Sequence, residues 1–211
     1  MRSSSVEVRL SRLLLRLTVL LLLLACGGLD ALAQTRAEAD AVKTLIGNAN
    51  EERSLLMKVL DASDAGALAE ITNANPPKSR IGQMLCSLRA SQLNEKEGSL
   101  AVLRSLPRSD IEMEALNEFT HLKVNSDFRP MYREYYSAAF QSVVSHPAFL
   151  PSIFRISTEF DTKNWPDYDD TDWYCSELAK VRKAIPEQYE QALSRESSRD
   201  KEFLSTCGSG H

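Results

Sequence analysis

Aromatic side chains are absent before Phe119, histidine occurs only three times in 211 residues, and the single long apolar run sits at the N-terminus. Three histidines leave imidazole few openings as a general base. The lack of a second apolar run excludes a multi-span membrane protein. Also missing are a Gly-rich phosphate loop, a G-x-S-x-G elbow, an H-E-x-x-H helix and any C-x-x-C pair, which removes the fingerprinted nucleotide, acyl-transfer, zinc and thiol-redox sites. No Lys/Arg cluster stands out, so nucleic acid and an anionic membrane surface are not expected as partners. What remains is an ordinary globular composition, 43% hydrophobic and 26% charged, with 8 Gly and 8 Pro.

The first 33 residues have the order of an export signal. Arg2, Arg9, Arg12 and Arg16 precede the run Leu17–Ala25, and Ala31-Leu32-Ala33 follows it as a small-x-small cleavage site. The run is too short to span a bilayer, which takes about 20 apolar residues. Residues 1–33 therefore read as a signal peptide and 34–211 as a single helical domain located outside the cytoplasm, secreted or periplasmic. An alternative is a lipoprotein: Leu23-Leu24-Ala25-Cys26 resembles a lipobox, although Leu24 is bulky for its place, and a lipid anchor would then sit on Cys26. Of 25 basic and 29 acidic residues, the signal removes four and two, leaving 21 against 27 and a net charge of −6. The mature chain is acidic.

Beyond Cys26, three cysteines remain, Cys86, Cys175 and Cys207. An odd number in an oxidising compartment implies at most one internal disulfide and one spare thiol. The pairing is open. If the last two helices are straight, Cys175 and Cys207 lie about 15 Å and about 30 Å from the turn between them, so joining them requires a bend.

Helical periodicity runs through nearly every segment past Gln34, and no sustained two-residue alternation or Asn-Gly or Asp-Gly turn marks a strand. Helices are expected near 36–47 and 51–62 and briefly around Leu68–Ile71, before Asn75-Pro76-Pro77 breaks the chain. The next begins near Lys78 with Ile81, Leu85, Leu88 and Gln92 on one face, and apolar positions continue through Leu100, Leu103 and Leu106 to Pro107. Ser109 or Asp110 caps a helix whose stripe is Ile111, Ala115, Phe119 and Leu122. Residues 127–145 form the longest candidate, and helix starts follow at Pro147 and Pro151. The chain closes in a helical hairpin, 171–185 and 187–205, with Leu178 and Leu193 in its core. The fold expected is all-α, an antiparallel array of about seven to nine helices. Its half 34–118 is aliphatic, and its half 119–211 carries all 15 aromatic residues and hence the denser core.

Glu118-x-x-His121 has the spacing of one half of a di-iron motif, but it occurs once, and His121 points away from its helix's apolar stripe. Solvation fits it better than a metal. The distinctive segment is Asn164–Tyr174, with four carboxylates and four rings in eleven residues. Its simplest role is structural, rings on the core and acids complementing the next helix dipole. Asp167, Asp169 and Thr171 alternate like calcium ligands, yet Asp172 replaces the required Gly and Leu178 the required Glu, which leaves only an irregular calcium site. A third role is a ligand surface made by Trp165, Asp167, Tyr168, Asp169, Asp170, Asp172 and Trp173, suited to a sugar or a cationic group.

No catalytic residue, cofactor or metal is assigned. The expectation is a non-catalytic helical protein that binds a protein partner or a small ligand outside the cytoplasm. The alternative is a small extracellular hydrolase using two carboxylates between Glu159 and Glu177.

Overall fold

The computed structural model describes residues 34–162 and 171–209. The signal region with Cys26, the segment 163–170 and His211 lie outside them. The chain divides into two units, Met1–Lys43 and Thr44–His211. In the first, the described residues 34–43 are helical, with Gln34 donating to Glu38 at 3.1 Å and Lys43 facing Asp40 at 3.9 Å.

Among the described residues the structure is all-α, with eleven α-helices and no strand. Helix α1 covers 34–51. It is followed by α2 (Arg53–Asp61), α3 (Ala65–Ala74), α4 (Arg80–Leu93), α5 (Glu95–Ser105), α6 (Asp110–His121) and α7 (Arg129–Ser145). The remainder are α8 (Leu150–Thr162), α9 (Thr171–Ala184), α10 (Pro186–Leu193) and α11 (Ser198–Cys207), and short 3-10 turns precede α7 and α8.

Polar side chains set the helix starts by taking up backbone amides that have no partner in the first turn. Asp64 accepts from Ala67 N at 2.9 Å, Ser79 from Gly82 N at 3.0 Å and Ser109 from Glu112 N at 3.3 Å. Of the two caps the sequence offers for α6, Ser109 is the one used. Glu52 reaches further along the chain. Its carboxylate accepts from Lys78 N at 2.7 Å, Ser79 N at 3.1 Å and Ser79 Oγ at 2.6 Å, tying the end of α1 to the start of α4.

Helices α4 and α5 form a hairpin around the single residue Asn94, which ends one helix and caps the next. The two backbones nearly touch at Gly98, where a β-carbon would lie 2.3 Å from Ser91 Cα. Arg80 locks the hairpin to α6 through a two-pronged pair with Glu112 at 3.0 and 3.1 Å, and its remaining N–H groups donate to Gln83 and to the carbonyls of Ser105 and Leu106.

Helix α7 is the spine of the aromatic half. Its inner face buries Tyr132, Tyr135, Tyr136 and Phe140. Tyr136 packs edge-on against Phe160 at 5.0 Å, and Phe160 stacks on Tyr174 at 5.4 Å. A smaller aliphatic cluster of Val59, Ala62 and Leu68 lies under α2–α4 with Cys86 packed against it. Partial burial raises the Cys86 thiol above its ordinary range.

Three expectations are corrected. The helix count is eleven because Asn94 divides what reads as one run after Lys78 and because the C-terminal end is three helices. The expected hairpin arm 187–205 breaks at residues 194–197, and Ser197 starts α11 by accepting from Asp200 N at 3.2 Å. That break is the bend a disulfide needs. It turns α11 back along α9 so that Cys175 and Cys207 are bonded, with Cα atoms 4.6 Å apart. Arg182 fastens the same corner, pairing with Glu190 at 2.6 Å, donating to Ser205 O at 3.2 Å and lying over the Tyr189 ring at 5.6 Å. Leu178 and Leu193 are buried there. The α6 stripe is also rotated from the expected one: Met113, Ala115, Leu116 and Phe119 are buried, Ile111 is half-buried, and Leu122 is 37% exposed.

Candidate functional site

With its aromatic face turned inward, α7 presents a different set of residues outward. Arg129, Arg133, Ser137, Gln141 and Ser145 recur at four-residue spacing, so this face is charged at its start and small and polar toward its end. Along it lies an open groove of about 1810 Å³. The 17 residues of α7 give this groove a length of about 25 Å. The facing wall is the α4–α5 hairpin, which contributes Leu88, Ser91 and Gln92 from one helix and Lys96 and Ser99 from the other. His121 at the end of α6, and Ser126, line it near the start of α7, His146 near the finish, and Trp173 comes from α9.

Several polar groups here have defined partners. His121 Nδ1 lies 2.8 Å from the carbonyl of Asn117. A carbonyl only accepts, so Nδ1 is the donor in this contact. The ring stands edge-on to Tyr132 at 6.0 Å. His146 ends α7, and its Nε2 is 3.4 Å from Ser99 Oγ. The Ser99 hydroxyl also bonds the Lys96 carbonyl at 3.3 Å, the local contact a helical serine makes with its own backbone, so the pair buttresses the wall. Gln92 donates to Glu134 at 2.8 Å across the groove. Arg133 lies over the Trp173 ring at 5.2 Å, with Phe140 edge-on to that ring at 6.2 Å.

Behind the groove, burial raises the hydroxyls of Tyr135 and Tyr136 above the usual tyrosine range, so that layer stays neutral. Tyr135 joins a buried chain in which its hydroxyl is 3.0 Å from Ser105 Oγ, itself 2.6 Å from Ser87 Oγ. This chain holds α4, α5 and α7 at the spacing that opens the groove.

Of the residues singled out in the sequence, Trp173 is half-buried and lines the groove. Trp165, Asp167, Tyr168, Asp169 and Asp170 lie outside the described residues, and the side chain of Asp172 does as well. Glu177, one of the candidate hydrolase carboxylates, is buried on α9 and paired with Lys180 at 2.6 Å. Among the described residues, no group of three or more His, Cys, Asp or Glu is placed to hold a metal. His121 is half-buried and turned into the groove, whereas the sequence had it solvated. The outward face of α7 carried one available signal: charged at its start with Arg129, Arg133 and Glu134, it turns to serine and glutamine over its second half, where a solvated face ordinarily stays charged.

No family model, curated protein or solved structure matches the chain. No helix among the described residues is long and apolar enough to cross a membrane. The functional reading therefore rests on the groove itself.

Proposed function

We propose that this is a non-catalytic helical binding protein, exported from the cytoplasm, whose ligand occupies the α7 groove. The observation that carries the reading is the groove itself, about 1810 Å³ in volume and lined by residues of α4, α5, α7 and α9. Concave sites with a few convergent polar groups are where ligands bind. What supports binding is that the two histidines of the lining make hydrogen bonds within the structure, His121 to a backbone carbonyl and His146 to a serine that supports the wall. Export rests on the basic, apolar and small-x-small order of residues 1–33.

Replacing Gln141, exposed on the groove face, with Trp obstructs the groove at its middle without touching the core. A thermal-shift screen of peptides, nucleotides and glycans then identifies ligands that raise the melting temperature by binding the native state. Such a ligand should stabilise the parent protein and lose that effect with Gln141→Trp. A ligand that stabilises both equally binds elsewhere and refutes the assignment.

A further inference from the structure

Helix α11 is pinned at both ends. The link 194–197 joins its start to α10, and the disulfide ties its last residue, Cys207, to Cys175 in the second turn of α9. Between those ends little else holds it. Leu204 is its one buried apolar side chain besides Cys207, and Phe203 is half-buried beside the Tyr174 ring at 6.2 Å. Its backbone accepts from the body at two carbonyls, Leu204 O from the Tyr189 hydroxyl at 3.2 Å and Ser205 O from Arg182 at 3.2 Å. One buried leucine offsets the ordering of roughly two residues, and a helix of ten residues is shorter than the length of about 12 to 15 that is even marginal alone in water. Its neighbours differ. Helix α10 is only eight residues long but buries Tyr189, Ala192 and Leu193, and α9 buries Tyr174, Leu178 and Val181. We propose that α11 is a redox-controlled latch: reduction of Cys175–Cys207 releases it from the body while the groove and its walls stay folded. This goes beyond the binding reading and does not depend on it.

The reductant is a dithiol, which supplies the two electrons. Cys207 is buried and Cys175 half-buried, so an incoming thiolate reaches the Cys175 sulfur. The S–S bond breaks as the new bond to Cys175 Sγ forms, and Cys207 leaves as a thiolate that takes up a proton. The second thiol of the reductant, deprotonated, then displaces Cys175 from the mixed disulfide. Both cysteines end as thiols and the reductant as its own disulfide. With one end free, α11 is attached to the body only through 194–197, and its weak hold on the body no longer keeps it ordered. Release uncovers the faces of Tyr174 and Tyr189 that Phe203 and Leu204 cover. A redox change at one bond is thereby turned into an order-to-disorder change of one helix.

The test is amide hydrogen exchange read by mass spectrometry on the whole protein, oxidised and after dithiothreitol without denaturant. Alkylation of the new thiols confirms that the bond has opened. On reduction, peptides covering Ser198–Cys207 should exchange about a hundredfold faster or more, while those from α4, α5 and α7 change by less than about threefold. The double variant Cys175→Ser/Cys207→Ser should show the fast exchange of α11 with no reductant present. Cys86→Ser should respond as the parent does, because Cys86 packs against the Val59, Ala62 and Leu68 cluster and not at this corner. Four results overturn the latch: a bond that opens only in denaturant, α11 still protected once both thiols are alkylated, exchange raised evenly along the chain, or a response lost with Cys86→Ser. Should the double variant not fold, reduction of the folded parent decides by itself. The groove is read separately by Gln141→Trp, so either reading can fail without the other.

Discussion

Replacing glycine with alanine inside a helix ordinarily stabilises a protein by up to about 1 kcal/mol, because alanine loses less backbone entropy on folding. At Gly98 the opposite sign is expected. An added β-carbon there would lie 2.3 Å from both Ser91 Cα and Ser91 N and 2.5 Å from Ala90 C, all backbone atoms that cannot turn aside. Restoring ordinary contact means moving α5 from α4 by about 1 Å, which forfeits a quarter to a half of the attraction at each contact that opens. Met84, Leu85, Leu88, Val102 and Leu103 are all buried in that hairpin. Overpacking of this kind costs about 3 kcal/mol, which against the helix gain leaves a net loss of about 2 kcal/mol. Gly47 is the internal control, since nothing lies within 4 Å of its added β-carbon, and Gly47→Ala should be neutral or stabilise by up to about 1 kcal/mol. Urea unfolding of both variants, followed by far-UV circular dichroism, reads the difference directly. A Gly98→Ala protein as stable as the parent would mean the α4–α5 contact is not the close approach described, and with it the position of the groove's facing wall.

Three further outcomes follow from the same structure. Removing the disulfide with Cys175→Ala/Cys207→Ala should cost about 4 kcal/mol by the chain-entropy relation for a loop of 32 residues, measured by urea unfolding under non-reducing conditions; a change below about 1 kcal/mol would mean the bond does not hold α11 against α9. Burial alone raises the Glu52 carboxyl, but hydrogen bonds from Ser79 and Lys78 outweigh it and hold the group below its usual 4.5. Its contribution is then present above that value and lost as pH falls through the lower folded value, so Glu52→Gln should flatten the decline in stability between about pH 6 and pH 3, and an unchanged slope would contradict the capping role. Protein recovered from its native host should give an intact mass beginning at Gln34, or at a lipid-modified Cys26; a species starting at Met1 would sink the export reading.

Much of the fold was legible because helical period and caps are local. The Leu178 and Leu193 faces, the Ser109 cap and the aromatic half's core all follow from spacing of a few residues. The break at 194–197 was not, because Ser194-Arg195-Glu196-Ser197 contains neither Pro nor Gly; its one sign was Ser197 three residues before Asp200. Asn94 was hidden in the same way, since the apolar pattern continues from α4 into α5. His121 was misdirected because its aim was taken from a stripe ending at Leu122, whereas burial is centred on Met113, Leu116 and Phe119. The groove is illegible for a deeper reason. Its walls join Gln92 to Glu134 and Ser99 to His146, pairs 42 and 47 residues apart that only tertiary packing brings together.

The most direct test of the groove as the binding site is a map of backbone amide chemical shifts in the labelled protein during titration with a ligand that the thermal-shift screen finds to stabilise it. The account predicts saturable shifts along Arg129–Ser145, at Gln92 to Ser99 on the facing hairpin and at Trp173, with α10 and α11 unmoved. Shifts concentrated on the α9–α11 corner, or spread evenly over the surface, would contradict it.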